Sequence, residues 1–257
     1  MTIDAPWVKA PATWPAVSTV VIGHARRQAL IALSDDGPIP VGERLAAYYD
    51  VDGDHVGATF ATMPPNDWHD ITGADVLSVI LVHGAIGPRA ARRLLSGPHR
   101  GWTLTAMRDL PGRELLTADP DTLVAMEDFH LAVESTLASP TDADPSRWGT
   151  ANKLCARKRP DLFPASDRNI CRYLGLRDVR EEWQVFRALM QDDDVRQAIE
   201  ALPAAARSVS GDRQLQLDDS DLRLLDAALW TYTVGARPRP SRTRRRALLA
   251  QPDLPMS

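Results

Sequence analysis

The sequence is poor in cysteine and lysine and has no long apolar run. Its two cysteines, Cys155 and Cys171, are too few for a disulfide framework, and no CxxC pair or Cys/His cluster indicates a zinc or iron–sulfur site. No run of about 18 uncharged apolar residues predicts a membrane-spanning helix. The first 15 residues also lack the basic and apolar regions of a signal peptide. These absences predict a cytoplasmic protein without membrane contact, metal or other cofactor.

Motifs of the common hydrolases and nucleotide-binding enzymes are also missing. The six histidines form no HExxH pattern, and the chain has neither a GxSxG motif nor a phosphate-loop glycine motif. The aspartates of 50–54 are spaced as in a calcium loop, but Gly53 stands at the fourth position instead of the sixth and no glutamate closes the loop. We therefore interpret 50–54 as a tight turn around an Asp-Gly step.

The charge of the chain is unevenly distributed. The formal net charge is −4 at pH 7, yet residues 236–257 contain six arginines and one aspartate, so the body is more acidic than the whole chain. An acidic body argues against a protein that coats nucleic acid with a broad basic face. The segment 236–257 is also rich in proline and poor in apolar residues, which predicts a disordered tail.

Composition divides the rest of the chain into an arm and a helical domain. Residues 1–15 contain three prolines and two tryptophans, and we expect an irregular N-terminal arm whose aromatic rings pack onto the body. Residues 16–235 are expected to form the domain, since 44% hydrophobic content in a chain of 257 residues is enough for a substantial core. A stretch of Pro, Asp, Thr and Ser places a lobe boundary near 138–146.

Hydrophobic periodicity predicts a mainly α fold, a multi-helix bundle-like domain. Helices are expected over 16–33, 73–83, 121–137, 150–159, 168–174, 179–190, 194–202 and 220–234, with another that Gly87-Pro88 opens and Gly97-Pro98 ends. Thr72 and Asp75 have the spacing of a capping box at the start of the second of these helices. The turn at 50–54 lies between short runs of strand-forming residues, which predicts a small β-hairpin near 47–61.

The segment 149–175 is the most suggestive of chemistry. Asp167 falls in the first turn of its second helix, where free backbone N–H groups and the helix dipole stabilise a carboxylate. Arg168 and Arg172 lie one helical turn apart and, with Arg157, are suited to meet phosphates. Asp167 can equally serve only as a helix cap, and the basic run 157–159 only as a solvated helix end. The residues alone leave both interpretations open.

One resemblance covers most of the chain. The stretch Thr150-Ala151-Asn152-Lys153-Leu154-Cys155-Ala156-Arg157-Lys158-Arg159-Pro160 resembles the signature of an uncharacterised actinobacterial family of domain-of-unknown-function proteins. The likeness extends over 48–230 and includes 71–76 and 226–230. This resemblance implies membership of a family but no activity.

A second resemblance is local. A turn, a Thr-Ala step, a helix, Pro-x-x-Asp and an arginine-bearing helix make 149–175 similar to the helix-hairpin-helix DNA glycosylases. This implies a helix-hairpin-helix glycosylase-like second half with Asp167 as the catalytic residue. Gly149 occupies the position of the Schiff-base lysine of bifunctional members, which implies a monofunctional enzyme. The nucleic-acid-binding residues predicted from this segment are Thr150, Asn152, Lys153, Arg157, Lys158, Arg159, Arg168 and Arg172.

The sequence therefore supports two hypotheses about function. The first is a DNA-binding protein of helix-hairpin-helix type, whose catalytic form is a monofunctional DNA glycosylase. The second is a non-catalytic helical protein that interacts with a protein partner or regulates one. The acidic body, the absence of any complete catalytic motif and the tryptophans of the N-terminal arm favour the second hypothesis.

Overall fold

The computed structural model describes residues 11–60, 62–138 and 147–235, and the prediction of a mainly helical fold is confirmed there. The described helices are α1 Thr19–Leu33, α2 Val41–Tyr48, α3 Gly57–Phe60, α4 Gly73–Leu81, α5 Pro88–Leu95, α6 Pro98–Arg108, α7 Pro120–Leu137, α8 Arg147–Lys158, α9 Arg168–Leu174, α10 Val179–Gln191, α11 Asp193–Ser208 and α12 Asp221–Gly235. A 3₁₀ turn spans Leu115–Thr117. Within these residues, none of the helices has the length and apolar character needed to cross a bilayer.

Side-chain caps explain why several helices begin where they do. The carboxylate or hydroxyl of each capping residue accepts a hydrogen bond from a backbone N–H of the first turn, which has no partner within the helix. Helices α1, α7, α9, α10 and α11 have caps of this kind, at Ser18, Asp119, Asp167, Asp178 and Asp192. The predicted capping box at α4 is confirmed, since the backbone N–H of Thr72 donates to Asp75 Oδ2 at 2.8 Å.

The predicted β-hairpin near 47–61 is wrong. The turn itself exists, because Gly53 N donates to Asp50 O at 3.1 Å, but helices α2 and α3 flank it instead of strands. In α2 the buried residues Val41, Leu45 and Tyr48 recur at helical spacing and pack against α11 and α12. The strand-like contact of this region is an isolated antiparallel bridge between Asp50 and Leu215.

Tertiary packing accounts for the helices that periodicity missed, which are α2, α3 and α6. Gly57 begins α3 against the Tyr48 ring, where an added Cβ would lie only 2.4 Å from a ring carbon. Gly97-Pro98, predicted to end α5, also opens α6: Gly97 has φ +83° and Pro98 occupies the first helical turn. A glycine-proline step can therefore serve two helices at once.

The helices form two groups that share one hydrophobic core. Helices α1, α2 and α9–α12 pack against one another, and α4–α8 form the second group. Buried Arg44 ties the first group together by donating to the carbonyls of Ala32 at 2.6 Å and Ala228 at 2.8 Å. The first group thus combines both ends of the described chain, and the second group comes from its middle.

The sequence predicts three features of domain organisation, which are an internal lobe boundary, an N-terminal arm and a C-terminal tail. The predicted lobe boundary near 138–146 lies outside the described residues apart from Ala138; the helices on either side, α7 and α8, pack together. Of the arm 1–15, residues 11–15 are described, and buried Trp14 packs its ring 5.8 Å from that of Trp183. The tail 236–257 lies outside the described residues.

A buried ionic cluster joins α4 to the end of α8. Asp75 is fully buried, and its two carboxylate oxygens each lie 3.1 Å from a cation, Oδ1 from Arg157 Nε and Oδ2 from Lys158 Nζ. Arg157 also donates to the carbonyls of Phe60 and Met63, and Lys158 donates to an amide oxygen at 2.9 Å. Each charge in the cluster therefore has partners, as burial requires.

We predict that Asp75→Asn destabilises the protein by about 3–5 kcal/mol, because it leaves two buried cations without a counter-charge while keeping an oxygen for the cap. Asp70→Asn is the matched control. Its partner Arg100 is only partly buried, so a loss below about 1 kcal/mol is expected. Urea unfolding measures both values, and equal losses in the two variants would contradict the role given to Asp75.

Candidate ligand pocket

Four of the eight predicted nucleic-acid contacts lie inside the protein. Thr150, Asn152, Arg157 and Lys158 are each at most 4% exposed. Thr150 Oγ1 accepts from the backbone N–H of Ala85 at 3.1 Å, and Asn152 Nδ2 donates to Glu182 at 3.0 Å. These side chains point into the core because α8 packs against both α4 and α7. In this conformation they hold the fold together and present no donor to a phosphate.

The other four predicted contacts are all basic residues, and their side chains reach solvent to different degrees. Arg159 is partly buried and donates to the Pro111 carbonyl, which directs it along the protein surface. Arg168 and Arg172 are exposed on α9, and Lys153 is partly exposed on α8. The cations of the predicted set that are exposed or partly exposed, apart from Arg159, are therefore Lys153, Arg168 and Arg172.

Asp167 is the N-cap of α9, as the capping interpretation expected. One carboxylate oxygen accepts from Asn169 N at 2.7 Å and from Ile170 N at 3.2 Å. The side chain is partly exposed. It also acts on Lys153: burial lowers the pKa of the Lys153 ammonium, and the nearby Asp167 carboxylate opposes that shift. Asp167 thus favours the charged form of a lysine that lines the neighbouring pocket.

A pocket of about 140 Å³ opens where the two helix groups meet. Helices α2, α3, α4, α8, α9 and α12 contribute to it, together with the turn before α3. The lining residues are Tyr48, Asp54, His55, Val56, Phe60, Leu81, Val82, His83, Lys153, Ala165, Ile170, Arg223, Asp226, Ala227 and Trp230. Three of their rings lie close together, since the Trp230 centroid is 5.4 Å from that of Tyr48 and 6.3 Å from that of His55. One wall is therefore aromatic.

The polar side of the pocket comes from α12. Asp226 Oδ2 accepts from the backbone N–H of Ala165 at 2.5 Å and from Arg223 Nη1 at 3.0 Å. Asp226 Oδ1 is buried and has no hydrogen-bond partner in the described part of the chain. Burial raises the pKa of Asp226 to about 7, although Arg223 favours the ionised form. An acid that titrates near neutral pH thus lines the pocket.

A second buried acid lies outside the lining of the pocket. Glu182 on α10 is fully buried, accepts from Asn152 at 3.0 Å and accepts from the Ser166 hydroxyl. Burial, with a smaller contribution from the charge of Asp226, raises the pKa of Glu182 to about 8. The thiol of Cys171 lies 3.9 Å from Glu182, and burial also raises its pKa, which disfavours a thiolate. Cys155 and Cys171 are both free and buried, as expected for core residues.

Sequence reasoning missed Arg223 and Asp226 as site residues. Both lie in an otherwise apolar stretch of α12, spaced i, i+3 and both under 5% exposed. A pair of opposite charges on the core face of a helix was the available signal, because ionised groups enter a core only when they are paired or functional. The described residues contain no group of three or more His, Cys, Asp or Glu side chains arranged for a metal ion.

Fold and pocket together define a mainly helical protein with an aromatic-walled, acid-bearing pocket. Residues 41–233 match the model of a family described as a family of unknown function, DUF6308. The chain belongs to this family, and the predicted membership of an uncharacterised family is confirmed. All pocket-lining residues fall within the matched range. Comparison with curated proteins and with solved structures gives no match.

The raised pKa of Glu182 predicts how stability depends on pH. The folded protein keeps a proton that the unfolded chain releases above about pH 4.5, so the free energy of unfolding falls as pH rises from there to about 8. Glu182→Gln removes this contribution, whose limit is about 1.4 kcal/mol per pH unit. Relative to wild type, the variant therefore gains stability as pH rises from about 5 to about 8.

Thermal and urea unfolding at one-unit pH steps measure this difference. Glu200→Gln, at an exposed position of α11, is the matched control and is expected to follow the wild-type profile. If Glu182→Gln and wild type lose stability in parallel as pH rises, Glu182 does not titrate as its burial implies.

Proposed function

We propose that the protein binds nucleic acid and receives one unpaired base in the pocket. The observation that carries this proposal is the joining of an aromatic wall, at Tyr48, His55 and Trp230, to a partly exposed cation, Lys153, in one cavity. Proteins hold single-stranded nucleic acid in this way, with aromatic faces for the bases and cations for the backbone.

The size of the pocket supports a single ring. An apolar cavity of roughly 150 Å³ accommodates a benzene molecule, and the pocket measures about 140 Å³. A base in a duplex is stacked on both faces and cannot enter such a cavity. The proposal is therefore limited to single strands and to nucleotides flipped out of a helix.

The arrangement of charge supports a small contact with the backbone. Arg168 and Arg172 are exposed one turn apart on α9, the helix that also contributes Ile170 to the pocket. Together with Lys153 they provide about three cations, which corresponds to a slope of roughly −2 for log affinity against log salt with single strands. The six arginines of 236–257 add to this charge in the sequence.

In the catalytic form of the proposal, the protein also removes the bound base by breaking the bond between the base and its sugar. This step requires a carboxylate that stabilises the cationic sugar or orients a water molecule. Asp167, the carboxylate that the glycosylase resemblance implies, acts on Lys153 from the start of α9, whereas Asp226 lines the pocket. We assign the positioning of the Lys153 charge to Asp167 and contact with the base to Asp226.

The Arg168→Glu/Arg172→Glu double variant is expected to bind a fluorescein-labelled single-stranded oligonucleotide at least about tenfold more weakly than wild type, with a shallower salt dependence. Fluorescence anisotropy of the full chain at several salt concentrations measures both effects.

Trp230→Ala is expected to weaken binding about 5- to 150-fold, the usual value of one base stacked on an aromatic ring. Arg207→Glu, an exposed substitution on α11, is the control. Equal affinities in all four proteins would remove the proposal.

A protein partner is the second candidate function, and a specific surface favours it. Trp68 is 59% exposed and Trp102 67% exposed, and each ring packs against a neighbouring histidine ring. A salt bridge between Arg100 and Asp70 connects the two segments that carry these tryptophans. Exposed tryptophans are typical of protein interfaces.

We expect the two candidate functions to separate by mutation. In the Trp68→Ala/Trp102→Ala variant, retention of a partner protein in a pull-down is lost if this surface is an interface, while affinity for the oligonucleotide stays at the wild-type value. Loss of oligonucleotide affinity in this variant would instead place nucleic acid on the tryptophan surface.

A further inference from the structure

The pocket contains a hydrogen-bond acceptor that the protein does not satisfy. Both donors available to Asp226, the Ala165 N–H and Arg223 Nη1, bind Oδ2, which leaves Oδ1 buried and without a partner among the described residues. Desolvating a carboxylate oxygen in this way is costly unless a ligand or a water donates to it. Asp226 lines the pocket, so a molecule in the cavity is a candidate for the missing donor.

The other walls define the rest of the occupant. The aromatic cluster of Tyr48, His55 and Trp230 accepts a flat ring, and the volume allows one ring more readily than two. Lys153 supplies a cation that makes no hydrogen bond to the described residues, so the occupant can also offer it an acceptor. A flat single ring that carries both an N–H donor and neighbouring acceptors fits these walls.

We propose, on the basis of the nucleic-acid function above, that the pocket selects an aminopyrimidine base of the cytosine type, whose 4-amino group donates to Asp226 Oδ1. Carboxylates recognise this amino group elsewhere in nucleic-acid binding. Uracil and thymine have a carbonyl oxygen at the same ring position, which would face the carboxylate oxygen, and their N3–H could replace the lost hydrogen bond only if the ring shifted from the position in which the 4-amino group is bound. The purines have a second ring for which the cavity has little room.

The structure also predicts the effect of removing the charge. In Asp226→Asn the amide oxygen stays where Ala165 and Arg223 donate, because an amide nitrogen there would face two donors. The amide N–H₂ then occupies the position of Oδ1 and can donate to a 4-carbonyl oxygen. The variant is therefore expected to prefer uracil over cytosine.

The test uses the full chain and two fluorescein-labelled decamers of deoxyuridine, one of them with a single central deoxycytidine. Anisotropy is measured at pH 8.5, where Asp226, with a pKa raised to about 7, is ionised. Wild type is expected to bind the deoxycytidine strand at least about tenfold more tightly. A third strand with 4-N,N-dimethylcytosine at the centre, which lacks the donor, is expected to lose this preference. Asp221→Asn, an exposed change on the same helix, is the control that retains it.

Each outcome decides the inference. Preference for deoxycytidine, its loss on dimethylation and its reversal in Asp226→Asn support it. Equal wild-type affinity for the deoxycytidine and deoxyuridine strands overturns it and leaves the proposed function standing, and this comparison needs no variant to fold. Failure of wild type to bind any of the strands overturns the proposed function as well.

Discussion

Asp75 lies between Arg157 and Lys158 with no access to solvent, and this contact fixes α8, the helix that brings Lys153 to the pocket. The carboxylate caps the start of α4 and, through its two cations, holds the end of α8 and the segment that follows α3. Buried charges of this kind cost desolvation energy and are tolerated only in one geometry, so they specify an arrangement more than they add stability. We infer that the cluster sets the register of α8 against α4.

The position of α8 decides what each of its polar residues meets. One turn before the cluster, Asn152 reaches buried Glu182 on α10, while its neighbour Lys153 lies at the pocket. Helix α12 completes the arrangement, because Asp226 accepts from the Ala165 N–H just before α9 and Arg223 donates to Asp226. On α8 and α12, the polar residues at or beside the pocket are thus positioned by buried polar contacts. Such support keeps a polar site in place within a small helical protein.

Local features of this structure were predictable from the sequence, and distant pairings were not. The longer helices, the capping box of Asp75 and the cap formed by Asp167 depend on neighbours within one or two turns, which periodicity and residue type reveal. The run Arg157-Lys158-Arg159 has the appearance of a solvated helix end, because its partner Asp75 is 82 residues away from Arg157. Helix α2 was missed for a similar reason, since its buried residues pack on α11 and α12, far along the chain. The pocket could not be predicted from the sequence, because residues that lie far apart along the chain meet there.

Photocrosslinking tests directly whether a base enters the cavity beside Trp230. A single-stranded oligonucleotide with one 5-iododeoxycytidine is irradiated with the full chain, and the modified peptide is identified by mass spectrometry. If the base enters the cavity, we expect the strand to be attached to Tyr48, His55 or Trp230, and an excess of the unmodified strand should reduce the amount of crosslinked protein. Attachment confined to Trp68, Trp102 or residues 236–257 would show that nucleic acid binds outside the pocket and would contradict the proposed function.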